Sequence, residues 1–569
     1  MLSKQSFATW AIALAILTST AFAGNGPGGP GGTGGGGGGT PAPAPFDTLH
    51  FSSAQNCALC HNGLTDQAGN DVSLEQDWGA TMMAHASRDP LWQAKVASEL
   101  ARAPDLAEVI NAKCSRCHMP MANVELTYSG EPIAILDGQG KGDGLLDPAH
   151  PLHAVAIEGV SCTLCHQIED DGNLGLLEGF SGHYSIADHA VLAERTIYGP
   201  VPNPRINPMQ TQAQFTPVYA MHVSDSAVCA ACHNLKTPFV DGEGKLASTD
   251  PQSEFAEQMP YTEWEHSAFA PDGATPRSCQ ACHMPETDGV KLSNRPRWLT
   301  PVEGFSRHRF VGANTTMLDI LDRNRSALGV SSSSLSAAID DARGMLAGAA
   351  ELSLIEAAIA DSKLTVELKV INHSGHKLPT SFPSRRVWLH LKVTNKGNGV
   401  IFESGRLESD GRIADADGDT SPTAYEPHHL EITSADQVQI YEPVMGNTDG
   451  EVTHTLLRAS SYLKDNRLTP AGFDKANAPA DVQVAGAASD DDDFDNGVDT
   501  ITYQVPLKGS GPYTVTVALN YQALSWPFIN DLFSDDTLPA EVERFRKLYE
   551  TGGVIIAETI DDLKLVVEP

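Results

Sequence analysis

Every one of the ten cysteines in this chain belongs to a C-x-x-C pair that is followed at once by histidine. The five stretches are CALCH at 57–61, CSRCH at 114–118, CTLCH at 162–166, CAACH at 229–233 and CQACH at 279–283. Zinc ribbons pair C-x-x-C units without an obligatory histidine, and thioredoxin-like motifs need a βαβ setting, so neither explains the pattern. Two thiols separated by two residues can add to the two vinyl groups of one haem, and the adjoining imidazole can then ligate the iron. The spacing predicts five covalently held haem c groups, on Cys57 and Cys60, Cys114 and Cys117, Cys162 and Cys165, Cys229 and Cys232, and Cys279 and Cys282. Proximal ligation of the iron falls to His61, His118, His166, His233 and His283.

Successive motifs begin 57, 48, 67 and 50 residues apart. Each interval holds a short helix and a loop but hardly an independently folded unit, so the cofactors must supply much of the core. Helical patterning such as DPLWQAKVASELARAPDLAEVINAK (89–113) and turn-rich stretches such as YGPVPNPRINP (198–208) predict a mainly α, haem-packed domain with few strands over residues 47–350.

Fifteen histidines remain for the sixth position on each iron, which decides whether a haem carries electrons or binds a substrate. His85, His153, His222, His266 and His308 lie near a motif or in the tail after the last one, and are candidate distal ligands. His50, His150, His183 and His189 rank below them. Met119 and Met284 follow proximal histidines directly, which puts them on the wrong face to complete the same iron; they are expected to pack against porphyrin.

The runs EGVSCTLCH and AVCAACHNLKTPF, and CQACHMP followed by HRFVGANTTML, resemble multihaem c-type cytochromes related to the cytochrome c554 and hydroxylamine oxidoreductase group. The stretches GHKLPTSFPSRRVWL and DQVQIYEPVMGN resemble those that follow the haem domain in a subset of such cytochromes. The resemblance implies electron transfer through a bis-histidine haem array, with an occasional member using one open haem for nitrogen or sulfur chemistry. Where the resembling loop reads G-H-K-L-P-T-G, this chain has Ser381 in place of the last glycine.

The half without cysteine changes period. Leu335, Ala338, Ile339, Ala342 and Met345 share a helical face, predicting a helix that closes the haem domain. Beyond it Leu364, Val366, Leu368 and Val370 alternate with polar residues, as do Val387, Leu389, Leu391 and Val393, and Tyr513, Val515, Val517 and Leu519. Such strands predict an all-β, immunoglobulin-like antiparallel sandwich over residues 360–569. NHSGHKLPTSFPSRR (372–386) joins two of them and makes His376 a further candidate distal ligand, ahead of His373, with Arg385 and Arg386 available to haem propionates. The acidic clusters DADGD (415–419) and DDDDFD (490–495) raise calcium, but neither has EF-hand spacing, and solvated loops are the preferred reading. No catalytic triad stands out.

At the start of the chain Lys4, an apolar run from Ala8 to Leu17 and Ala21-Phe22-Ala23 predict a secretory signal over residues 1–23. A Gly/Pro-rich tether over 24–46 follows. No later apolar run approaches the roughly 18 residues that span a membrane, so the expected location is periplasmic or secreted. A net charge of −34 disfavours nucleic acid and suits redox partner proteins with basic docking surfaces. The favoured function is electron transfer along the haem chain in respiratory metabolism. The alternative, a multihaem oxidoreductase with one open haem acting on a small nitrogen or sulfur compound, is weakened because no C-x-x-C-K motif occurs.

Overall fold

On a helix, residues at i, i+3 and i+4 share a face, so a helical C-x-x-C-H aims both thiols and the imidazole the same way. The computed structural model, which describes residues 44–138, 142–248, 250–332 and 334–569, uses this arrangement at all five motifs. The first motif ends α1 (Ala54–His61). Next come α2 (Pro90–Arg102) and α3 (Ala107–His118), which carries the second. The third forms α4 (Cys162–Cys165), capped by His166, and the fourth ends α5 (Ala227–His233). The short α6 (Pro260–Glu265) precedes α7 (Cys279–His283), which is the fifth motif itself. Helix α2 starts where the sequence dictates: Pro90 needs no N–H donor, and the Asp89 carboxylate accepts from the N–H of Leu91 at 2.8 Å and of Trp92 at 3.3 Å. Among the described residues of this half, strands form only short two-stranded ladders, as expected.

The expected closing helix is present as α8 (Ser336–Ala347), burying Ile339, Ala342 and Leu346. After it come β1 (Ala350–Ala360), β2 (Lys363–Asn372), β3 (Arg386–Thr394), β4 (Val400–Ser404), β5 (Glu431–Ile432), β6 (Ile440–Tyr441), β7 (Val498–Pro506), β8 (Tyr513–Gln522) and β9 (Glu558–Val567). One sheet has the order β4-β3-β8-β9 with β6 also on β3, and the other has the order β5-β7-β2-β1. Register follows the alternation, with Val517 opposite Leu391 and Tyr503 opposite Val366. The inward residues of both sheets, among them Leu364, Val366, Leu389, Leu391, Ile501 and Val517, form one buried cluster. Each such side chain contributes on the order of 1.5–3 kcal/mol by leaving water.

One expectation needs correction. The C-terminal half is not all-β, because α9 (Trp526–Leu532) and α10 (Ala540–Tyr549) follow β8. Besides its own core it shares a second one with the first half. Val542, Phe545 and Tyr549 of α10 and Phe528 of α9 share a buried cluster with Leu91 and Ala94 of α2 and Met317, Ile320 and Leu321 of the haem half. Arg102 reinforces the junction, pairing with Asp531 at 2.7 Å and Asp535 at 3.0 Å. The described residues form one compact unit. Among them no helix is long and apolar enough to cross a membrane, while the expected signal and most of the expected tether lie outside them.

Candidate haem-binding cavity

All fifteen cysteines and histidines of the motifs wall a single cavity of ≈ 2670 Å³. A pocket for one small molecule has about 300–1,000 Å³, so this volume suits several large groups side by side. The ten thiols are free. They also approach one another between motifs, Cys57 with Cys162, Cys117 with Cys232, and Cys229 with Cys279. Groups attached to these motifs would therefore be neighbours.

Four proximal imidazoles are held in the same way. The Nδ1–H of His61 donates to Leu292 O (2.7 Å), that of His118 to Ala86 O (3.0 Å), that of His166 to Tyr198 O (2.6 Å) and that of His283 to Val311 O (2.6 Å). Such a bond fixes the tautomer and leaves the lone pair on Nε2, the arrangement a metal-ligating histidine needs. Burial lowers the pKa of His61 and His166. It brings His118 to about 4, helped by the nearby His233, and His233 to about 4, helped by His283 and Arg385. These rings stay neutral and able to donate.

Two proximal rings face a second imidazole. His166 and His308 lie with centroids 6.1 Å apart and planes 18° from parallel, and His283 and His376 with centroids 6.3 Å apart and planes 14° from parallel. Two metal–nitrogen bonds of about 2 Å plus two ring radii of about 1.1 Å span about 6 Å, so one metal ion fits between the rings of each pair. His308 donates Nδ1–H to Ser306 O (3.1 Å) and His376 to Lys377 O (2.9 Å), as the proximal rings do. Burial, then His166, brings His308 to about 3, and burial lowers His376. The donor set fits haem iron at these positions.

The other candidates are placed differently. His85 is buried with only a backbone contact from Gly79 at its ring, and burial, with Arg88 adding, brings it to about 3, but it does not wall the cavity. Neither does His153, bonded to Leu145 O at 3.0 Å, nor the exposed His266, bonded to Thr262 O at 2.9 Å. His222 uses the opposite nitrogen, Nε2, on Ile168 O (2.8 Å) and borders a surface groove with Glu169, Asp170 and Asp171. Against the pull of burial, Glu125 (3.1 Å) and Asp188 (3.2 Å) raise the pKa of His50. His150 accepts from Leu152 N–H, His183 bonds Arg116 and Phe180 O, and His189 lies beside His50. Met284 walls the cavity, whereas Met119 packs in an apolar cluster with Trp92 and Ile110.

The 372–386 loop divides its residues between cavity and core. His373, His376 and Arg385 all wall the cavity, His373 from an exposed position beside Glu351. Arg386, expected beside the cofactors, instead points into the β-half and grips Asp419 with both nitrogens, at 2.6 and 2.8 Å. Asp419 is accordingly buried, and so is Asp491, against the expectation that both acidic clusters are solvated throughout. Asp491 lies with His428 and Asp499 in a buried trio, spaced as metal ligands would be, whose members nothing in the sequence connects. Two side-chain amides close it to cations. Gln439 Oε1 accepts from His429 N–H and Asn466 Oδ1 from Glu442 N–H, so both NH₂ groups must donate to His428 Nδ1, at 3.1 and 3.0 Å. His428 Nε2 then carries the proton, donated to Asp491 at 2.9 Å, and no ring lone pair remains for a cation.

No protein-family model matches the chain, and no curated protein matches it. Among solved structures it is similar to a penta-heme cytochrome c552 from Thermochromatium tepidum, with a TM-score of 0.51 and 16% identity over 92% of this chain and 100% of that one. The two chains share a fold.

Proposed function

We propose that this chain is an electron-conducting pentahaem c-type cytochrome, exported to the periplasm or beyond and serving respiratory redox traffic. In this reading residues 47–350 hold the haems, as in the cytochrome c554 and hydroxylamine oxidoreductase group, and 360–569 form an immunoglobulin-like sandwich with helical additions that covers them. The observation that carries the proposal is the pair of facing imidazoles, His166 with His308 and His283 with His376, inside a cavity walled by all five motifs. Bound haem supplies one-electron redox chemistry.

The chain's own part is to hold and insulate. The ten cysteines anchor, the backbone carbonyls of Leu292, Ala86, Tyr198 and Val311 aim the proximal Nε2 atoms, and His308 and His376 close the opposite faces. An iron closed on both faces offers no site to a substrate, which favours conduction over catalysis. His85, buried and lacking a well-formed hydrogen bond at its ring, would be the next distal candidate, though it would first have to turn toward the cavity it does not now line. The docking partners of so acidic a chain would be basic redox proteins.

Intact mass and electron paramagnetic resonance of the oxidised protein test this reading. Five added haems and only low-spin ferric signals support it. A smaller haem count removes it, and a high-spin signal that shifts with nitrite, hydroxylamine or sulfite replaces it with the oxidoreductase alternative.

A further inference from the structure

The His376 loop is locked to the haem half by a buried ionic quartet. Glu263, in α6 and with no exposed surface, accepts through Oε2 from the backbone N–H of Lys377 (3.1 Å) and the Thr380 hydroxyl (2.5 Å), and through Oε1 from Arg467 (2.8 Å). Arg467 forks onto Asp465 at 2.7 and 2.8 Å, and Asp465 also accepts from the Lys377 ammonium at 2.6 Å. Two cations and two anions balance. The Arg467 and Lys377 charges hold Asp465 at about 2 against the opposing effect of burial.

The quartet brackets His376 itself. Residue 377 is held by its N–H and by its side chain, and its carbonyl receives the His376 ring proton at 2.9 Å. The His376 carbonyl accepts from Asn372 at 2.9 Å, and Gly375 lies against Trp264 and Phe269, where an added Cβ would sit 3.4–3.5 Å from their rings. Among the described residues, Glu263 is thus the haem-half side chain that grips the backbone on the C-terminal side of His376 while also neutralising the quartet. Buried quartets of this kind are weak sources of stability and better suited to fixing one geometry.

We propose that Glu263 is a positioning residue that sets the orientation of the His376 imidazole opposite His283, through Lys377 and Thr380, and so the electronic character of the fifth-motif haem. This rests on the reading of His376 as a distal ligand. Glutamine at 263 can still accept from Arg467, but its NH₂ would meet the Lys377 N–H, donor against donor, and the quartet would gain a net positive charge. The ring should then leave its near-parallel setting.

Ring angle is visible spectroscopically. Imidazole planes close to parallel split the iron orbitals they address and give a rhombic low-spin signal, whereas twisted planes give a strongly anisotropic one. In the full haem-loaded protein, Glu263→Gln should move one of the five haems from rhombic toward strongly anisotropic or high-spin and shift one potential in a redox titration. Asp419→Asn, which disturbs another buried ion pair in the β-half, should leave every signal in place although it also destabilises. Should Glu263→Gln fail to accumulate, Thr380→Val removes one of the three contacts and should shift the same signal less far. His376→Ala separates the two ideas. If it converts one haem to high-spin while Glu263→Gln and Thr380→Val change nothing, the positioning role is wrong and the ligand reading stands. If His376→Ala changes no haem, the ligand reading falls and the positioning role with it.

Discussion

Replacing Asp499 with asparagine should reverse its effect on stability with pH. The carboxyl has no exposed surface, takes the Tyr441 hydroxyl at 2.6 Å and the Gln439 amide at 3.1 Å on Oδ2, and has no partner at Oδ1. Burial raises its pKa from 3.8 to about 7, with Asp491 adding to the shift. Between those values the folded chain holds a proton that the unfolded chain has released, so stability falls as pH rises, by about 1.4 kcal/mol per unit and about 4 kcal/mol in all. Above about pH 7 the loss is complete. Asparagine keeps the acceptor for Tyr441 and Gln439 and has no proton to lose. The sequence isoelectric point of about 4.8 makes pH 5.5 a practical lower limit. From there to pH 8, the stability of the variant relative to wild type should rise by about 2 kcal/mol. Paired urea titrations of the haem-loaded proteins measure this, since other titrating groups cancel in the difference. A difference that stays flat, with the variant weaker throughout, would show that Asp499 is ionised in the fold, as it would be beside a bound cation, and would refute the proton assigned to its carboxyl.

Other consequences are simpler. His308→Ala should turn one haem high-spin, with added imidazole restoring the low-spin signal, whereas His50→Ala should leave every haem signal unchanged, as read by the same spectra. Asp419→Ala strands the buried Arg386 charge and should cost about 3–5 kcal/mol in urea unfolding, part of which Arg386→Met in the same chain recovers. Ser381 sits at φ +69° and its hydroxyl donates to Gln258 Oε1 at 2.6 Å. Glycine and alanine both forfeit that bond, but alanine keeps the left-handed strain, so Ser381→Gly should exceed Ser381→Ala in stability by about 1 kcal/mol.

What the sequence made legible was what is local. C-x-x-C-H reads directly as a helical face, and the alternation at 364–370, 387–393 and 513–519 reads directly as strands with one buried side. Which histidine faces which motif was not legible, because His308 meets His166 across 142 positions and His376 meets His283 across 93. His85, His153, His222 and His266 are nearer to motifs along the chain, yet none has its ring opposite a proximal one in the manner of those two pairs. One error was avoidable. Neighbouring residues entering a strand point to opposite sides, so Arg385 and Arg386 could not both address the cavity, although the alternation from Val387 did not say which of them would. The quartet had no such signal, since Glu263, Lys377, Asp465 and Arg467 are ordinary charges until the fold collects them.

The cavity wall also sets a schedule. Part of it is formed by residues 57–283, but other lining residues, including His376, Leu457, Tyr521 and Leu524, belong to segments synthesised later, as does α10, which packs onto α2. Haem attached before these later segments pack over residues 57–283 would meet a more open cavity, so the order in which the two halves come together would decide how readily each motif is reached.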